Sequence, residues 1–172
     1  MTFRQLSPTF SVSPQLTEAD VAQAAHDGFR GIIDNRPDHE VPGHLTASEM
    51  AAVAARHGLT FEHIPVVPGA IGDADTARMA DALARAEGPV LGYCRTGARA
   101  ATLWALTQAP VADAEAEAIL NTTAAAGYDL ASIKPRLVRA SAVKPATKVY
   151  DVVIVGGGAA GISAASSLLW RR

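Results

Sequence analysis

Cysteine is almost missing from this chain: Cys94 is the single one, so no internal disulfide can staple the fold. Stability must come from a packed core. With 49% apolar and 19% charged residues, the chain has the material for one and is too apolar for wholesale disorder. An excess of either charge is also lacking. Fifteen Lys and Arg against 17 Asp and Glu leave a net charge of −2 with no basic cluster, which excludes the electrostatic footprint of a nucleic-acid binder. The start, MTFRQLSPTF, has no apolar h-region, and together with the lone thiol this predicts a cytoplasmic location. From Val152 to Trp170 there is no charge at all, yet that stretch holds four glycines and three serines and opens on a β-branched run. It reads as strand, turn and helix rather than as a transmembrane segment.

What is present is a regular alternation. Short strands are expected near Phe3 and at 10–12, then a helix in LTEADVAQAAHDG. Thr17 and Asp20 approximate its capping box and Gly28 its stop. FRGIID reads as a buried strand and NRPDHEVPGHL as a turn-rich loop. TASEMAAVAARHG repeats the helix pattern with Thr46 at the N-cap, Glu49 three residues on and Gly58 past the end. LTFEHIPV is a strand, PGAIGDAD a loop, TARMADALARAEG a helix, PVLGY a strand, and ARAATLWALTQA a helix that stops near Pro110. Two further helices divide near Gly127. Such alternation predicts an α/β fold: a mainly parallel sheet with helices on both faces. The expected organisation is a domain over 1–142, a linker over 143–148, and the start of another unit over 149–172.

The cysteine lies in PVLGYCRTGARAATLWAL, at the end of a strand and just before a helix. Backbone N–H groups of Arg95, Thr96, Gly97 and Ala98 would there form a concave anion site, reinforced by the helix dipole. Gly97 permits the positive φ of such a turn, and Arg99 can grip an oxyanion at two points. A positive environment of this kind stabilises a thiolate. Cys94 is therefore expected to titrate below an ordinary thiol.

GFRGIIDNRPDHE, HGLTFEHIPVVPGAI and PVLGYCRTGARAATLWAL, in that order, resemble the phosphatase-like domain of bacterial β-lactamase-hydrolase-like proteins. That family is related to the cysteine-dependent dual-specificity phosphatases and includes members assigned as sulfurtransferases. The resemblance spans roughly 3–140 and implies a phosphatase-like fold, a four- or five-stranded parallel-type sheet with flanking helices, with Cys94 as nucleophile and Arg99 as anion clamp. Three features depart from a phosphatase pattern. CRTGAR has four residues between cysteine and arginine, the spacing of rhodanese-type loops, where tyrosine phosphatases have five. Tyr93 replaces the usual histidine before the cysteine, and Ala100 stands where a Ser or Thr hydroxyl is common. The expected function is thus a cysteine-dependent sulfurtransferase forming a Cys94 persulfide. Its partners would be a small sulfur-bearing anion or persulfide and an external thiol acceptor. The alternatives are a phosphatase working through a cysteinyl-phosphate and a non-catalytic regulatory module.

A phosphatase needs a general acid, for which Asp73 and Asp75 are candidates that read equally well as helix caps. Arg36, Asp38 and Glu40 occupy the loop after a strand, on the side of a parallel sheet where ligands gather; Arg36 and Asp38 are substrate or acid candidates, and a structural Arg–carboxylate pair is an equal reading. His39 and His44 are five apart with Pro42 between them, so one helical face cannot present both, and no metal site is expected. Gly156, Gly158 and Gly161 form a dinucleotide fingerprint after an apolar strand. It looks like the start of an FAD-dependent oxidoreductase of the sulfide:quinone type. FAD would then belong to a longer parent. The 1–142 domain is expected to need no cofactor, and this chain is not expected to bind FAD, because the acidic residue that completes such a site would lie about 20 residues further on.

Overall fold

Local capping sets the ends of the first two helices. In α1 (Glu18–His26) the Thr17 hydroxyl accepts from Asp20 N–H while the Asp20 carboxylate accepts from Thr17 N–H. In α2 (Ala47–Arg56) Thr46 and Glu49 do the same. In the computed structural model, which describes residues 3–138, these helices alternate with short strands. The strands are β1 (Arg4–Ser7), β2 (Phe10–Ser13), β3 (Gly31–Asp34), β4 (Thr60–His63) and β5 (Val90–Tyr93). They form one five-stranded sheet in the order β1-β2-β5-β3-β4. β2, β5, β3 and β4 run parallel, and β1 is antiparallel at the edge.

The remaining helices are α3 (Asp73–Arg85), α4 (Ala98–Thr107), α5 (Asp113–Ala125) and the short α6 (Lys134–Val138). α3 begins earlier than the loop expected over PGAIGDAD. Its N-cap is Gly72, whose N–H donates to the Asp75 carboxylate at 3.0 Å. A glycine cap offers no side chain for a sequence rule to find.

Successive strand residues face opposite sides of a sheet, and the two halves of the core show it. Ile32 packs with Val21, Met50, Leu59 and Tyr93 on the side of α1 and α2. Ile33 packs with Met79, Leu103, Trp104 and Leu120 on the side of α3, α4 and α5. β3 and β5 are buried throughout, as central strands of a doubly covered sheet must be. Among the described residues no helix is long and apolar enough to cross a membrane. The expected linker and the Gly156, Gly158 and Gly161 motif lie outside the described residues.

Candidate active site

The register Ser13↔Tyr93↔Asp34↔His63 brings the C-terminal ends of four parallel strands level. The loops that leave them therefore meet at one edge, the usual place for a site in such a sheet. A backbone net ties them together. Gln15 N–H donates to Arg95 O at 3.3 Å, Asn35 N–H to Tyr93 O at 2.8 Å, and Val66 N–H to Asn35 O at 3.2 Å.

Cys94 follows β5 directly and is fully buried. Its Sγ accepts from Gly97 N–H at 3.2 Å. The wider ring of converging amides expected from the sequence is only partly formed, because Ala98 N–H lies 3.4 Å from Thr96 Oγ1 instead. Gly97 is the N-cap of α4 with φ +90, a backbone that L side chains rarely adopt. A methyl group there would also come within 2.2 Å of Tyr128 Oη.

Arg99, on the first turn of α4, is only 8% exposed. Glu40 grips it at two points, Nη1 to Oε2 at 2.6 Å and Nη2 to Oε1 at 2.7 Å, and Nη1 also donates to Val66 O at 2.8 Å. A guanidinium carries five N–H donors. Three are used in these bonds, and the two left, on Nε and Nη2, form one edge able to hold an oxyanion. Burial works against the Arg99 charge, but the Glu40 bonds and the adjacent Cys94 sulfur more than offset it and raise its pKa. The bond from Arg99 holds Glu40 below the usual carboxylate range. Arg95, largely exposed, adds a looser contact, Nε to Glu40 Oε1 at 3.7 Å.

The other candidates have other work. Arg36 is buried, with Nη2 bonded to Leu45 O and with Nε and Nη1 unpartnered. Asp38 accepts from Ala47 N–H at 2.7 Å and so holds the start of α2. Asp75 is the α3 cap described above, and the exposed Asp73 carboxylate faces Arg136 at 3.4 Å. Neither Asp73 nor Asp75 is bonded to the cysteine loop. Tyr93 does not stand in for the missing histidine as a free polar group: its O–H donates to Asp34 Oδ2 at 2.7 Å, inside the sheet. Burial, only partly opposed by that bond, raises the Asp34 pKa. Burial and the Asp34 charge push the Tyr93 phenol up. Ala100 is buried in the core cluster with Phe10 and Trp104. The sequence places Glu40 in the loop near the pocket and allows a structural Arg–carboxylate pair there, but it carries no signal for Arg99 as the partner or for Tyr128. No spacing rule connects either residue to Cys94.

Residues 2–111 match the family model described as beta-lactamase hydrolase-like protein, phosphatase-like domain. The chain belongs to this family. A beta-lactamase hydrolase-like protein of Agrobacterium fabrum is 31% identical over 146 residues, 85% of this chain and 34% of that protein. One from Xylella fastidiosa is 34% identical over 103 residues, 60% of this chain and 24% of that protein. The chain thus spans about a third or less of the curated relatives it matches. Among solved structures, a candidate phosphatase of Neisseria meningitidis superposes with a TM-score of 0.69 at 35% identity, covering 79% of this chain and 96% of that one. The phosphatase-like family match ends before Gly156, Gly158 and Gly161.

Within this phosphatase-like domain Glu40 holds the Arg99 guanidinium in place. Glu40→Gln should lower kcat/KM roughly tenfold or more, about 1.4 kcal/mol of lost transition-state stabilisation, with little change in melting temperature. Because the folded pKa of Glu40 is depressed, the ion pair is intact above the usual carboxylate range and is lost as pH falls through the folded value. The wild-type activity should therefore decline on the acid side, and the Gln variant should lack that limb. A pH–rate profile of both proteins checks this.

Proposed function

We propose that this domain is a cysteine-dependent phosphatase. The observation that carries the proposal is geometric: Gly97 N–H on Cys94 Sγ beside an arginine whose outer edge is taken by Glu40 and whose other two donors remain for an oxyanion. The family and the 35% identical solved structure support the same chemistry. In the first step the Cys94 thiolate attacks phosphorus; the S–P bond forms, the ester P–O bond breaks, and the leaving oxygen takes a proton from solvent. Water then attacks the cysteinyl-phosphate, the S–P bond breaks, and inorganic phosphate and the thiolate are released. Arg99 and the loop amide stabilise the charge that grows on the non-bridging oxygens.

This reverses the order expected from the sequence, where sulfur transfer stood first. Sulfur transfer remains the second reading, favoured by two features of the site. The cysteine loop has four residues before its arginine, and Asp73 and Asp75 are engaged elsewhere. In that chemistry the thiolate would take the outer sulfur of thiosulfate, release sulfite, and pass the sulfur to cyanide or an external thiol. A thiolate is a fair leaving group and needs no acid.

The deciding measurement is kcat/KM for an aryl phosphate and for thiosulfate with cyanide on one preparation. The phosphate should win by tenfold or more, about 1.4 kcal/mol. Because Glu40 is held ionised by Arg99 and Asp73 and Asp75 are engaged elsewhere, aryl phosphates should also far outrun alkyl phosphates. Faster sulfur transfer would promote the second reading, and no turnover of either would leave the regulatory-module reading.

A further inference from the structure

Tyr128 lies beyond the residues that match the family model, and the segment that carries it is built with care. α5 closes with Gly127 N–H to Ala124 O and Tyr128 N–H to Thr123 O, both at 2.8 Å, with Gly127 at φ +89. This is the helix ending that favours glycine. A side chain on Gly127 would also strike Arg4, coming within 2.3 Å of Nη1. Arg4 Nη1 donates to Ala126 O at 2.6 Å, and its guanidinium lies 5.3 Å from the centroid of the Tyr128 ring. Clamped in this way and only 7% exposed, the phenol reaches the cysteine loop from behind. Its O–H donates to Thr96 O at 3.3 Å.

The carbonyl of Thr96 and the N–H of Gly97 belong to one peptide unit. In a planar trans peptide those two groups point in opposite directions. Tyr128 holds the outward end, and the inward end donates to Cys94 Sγ at 3.2 Å. We propose that Tyr128 is a positioning residue for Cys94, acting through the Thr96–Gly97 peptide as a polarised relay from phenol O–H to carbonyl, and from amide N–H to sulfur. Donation to the carbonyl fixes the peptide plane and makes the opposite N–H a stronger donor to a thiolate. Burial raises the Tyr128 pKa, which keeps the phenol a neutral donor. Among the described residues Arg99, from α4, also faces the sulfur, with Glu40 behind it and Arg95 against Glu40. Tyr128 approaches from the end of α5 with Arg4, from β1, over its ring.

The relay rests on Cys94 being the nucleophile, so the test must separate the two ideas. Tyr128→Phe in the full chain removes the hydroxyl while leaving the ring and its Arg4 contact; thermal melting controls for folding. The Gly97 amide proton, read by 15N-labelled NMR, should move upfield more than the other loop amides. Alkylation of Cys94 by iodoacetamide at neutral pH should slow roughly fivefold, the effect of one ordinary hydrogen bond. Replacing Tyr128 by 3-fluorotyrosine, a stronger donor, should move both readouts the other way, and it serves as the test if the Phe variant does not fold. An unchanged Gly97 resonance with unchanged alkylation overturns the relay. A wild-type Cys94 that reacts no faster than the cysteine of the unfolded chain would instead count against the nucleophile, while the Gly97 resonance still decides the relay.

Discussion

Cys94→Ser should fold, melt close to the wild type, and lose turnover of aryl phosphate by at least about a thousandfold. A serine hydroxyl is not ionised near neutral pH, and one amide N–H with one guanidinium edge cannot make it so. No second thiol can substitute, because the chain has no other cysteine. The anion-binding parts survive the change: Arg99 and Glu40 make their bonds through side chains and the Val66 carbonyl, independent of the sulfur. Calorimetric titration with inorganic phosphate should therefore still show binding. Residual activity within tenfold of wild type would remove Cys94 from the chemistry.

Gly97→Ala should produce the largest combined loss of stability and activity of any single-methyl change in the loop. The backbone there has φ +90, and the new methyl would lie 2.2 Å from Tyr128 Oη and 3.1 Å from Ser13 O. Forcing an L side chain into this region costs roughly 1–2 kcal/mol, and crowding a packed site adds about 1–3 kcal/mol. Relief can come only by moving Tyr128, which breaks its bond to Thr96 O, or by moving the loop, which shifts the Gly97 N–H from Cys94 Sγ. The urea midpoint should drop and kcat/KM should fall further than the lost stability explains. An alanine variant with both near wild type would show that the loop has slack that these distances do not allow.

The features readable from sequence are those whose cause is local. Thr17 with Asp20, and Thr46 with Glu49, sit three residues apart and cap their own helices, so the pattern and the structure are the same fact. The short apolar run Val90-Leu91 before Cys94, the glycine three residues after it and the arginine two further on likewise predict a strand, a turn and a helix start. The start of α3 is not legible in the same way, because its cap works through the backbone of Gly72. The antiparallel direction of β1 follows from its hairpin with β2 and its place at the sheet edge.

By itself, then, the sequence determined the α/β alternation, the position of the thiol at a strand end, and the arginine that could serve it. Each depends on residues within a few positions of one another. Only the tertiary structure decided which carboxylate meets that arginine. Asp38, Glu40, Asp73 and Asp75 are equivalent acids in the sequence, but the sheet register carries the loop after β3 over α4 and turns Asp38 into a helix-start contact, leaving Glu40 to bind Arg99 across 59 positions. It likewise brought Tyr128 to Thr96, 32 residues away. Side chains so far apart in the chain share no periodicity or spacing, and the packing that joins them exists only once the sheet has closed.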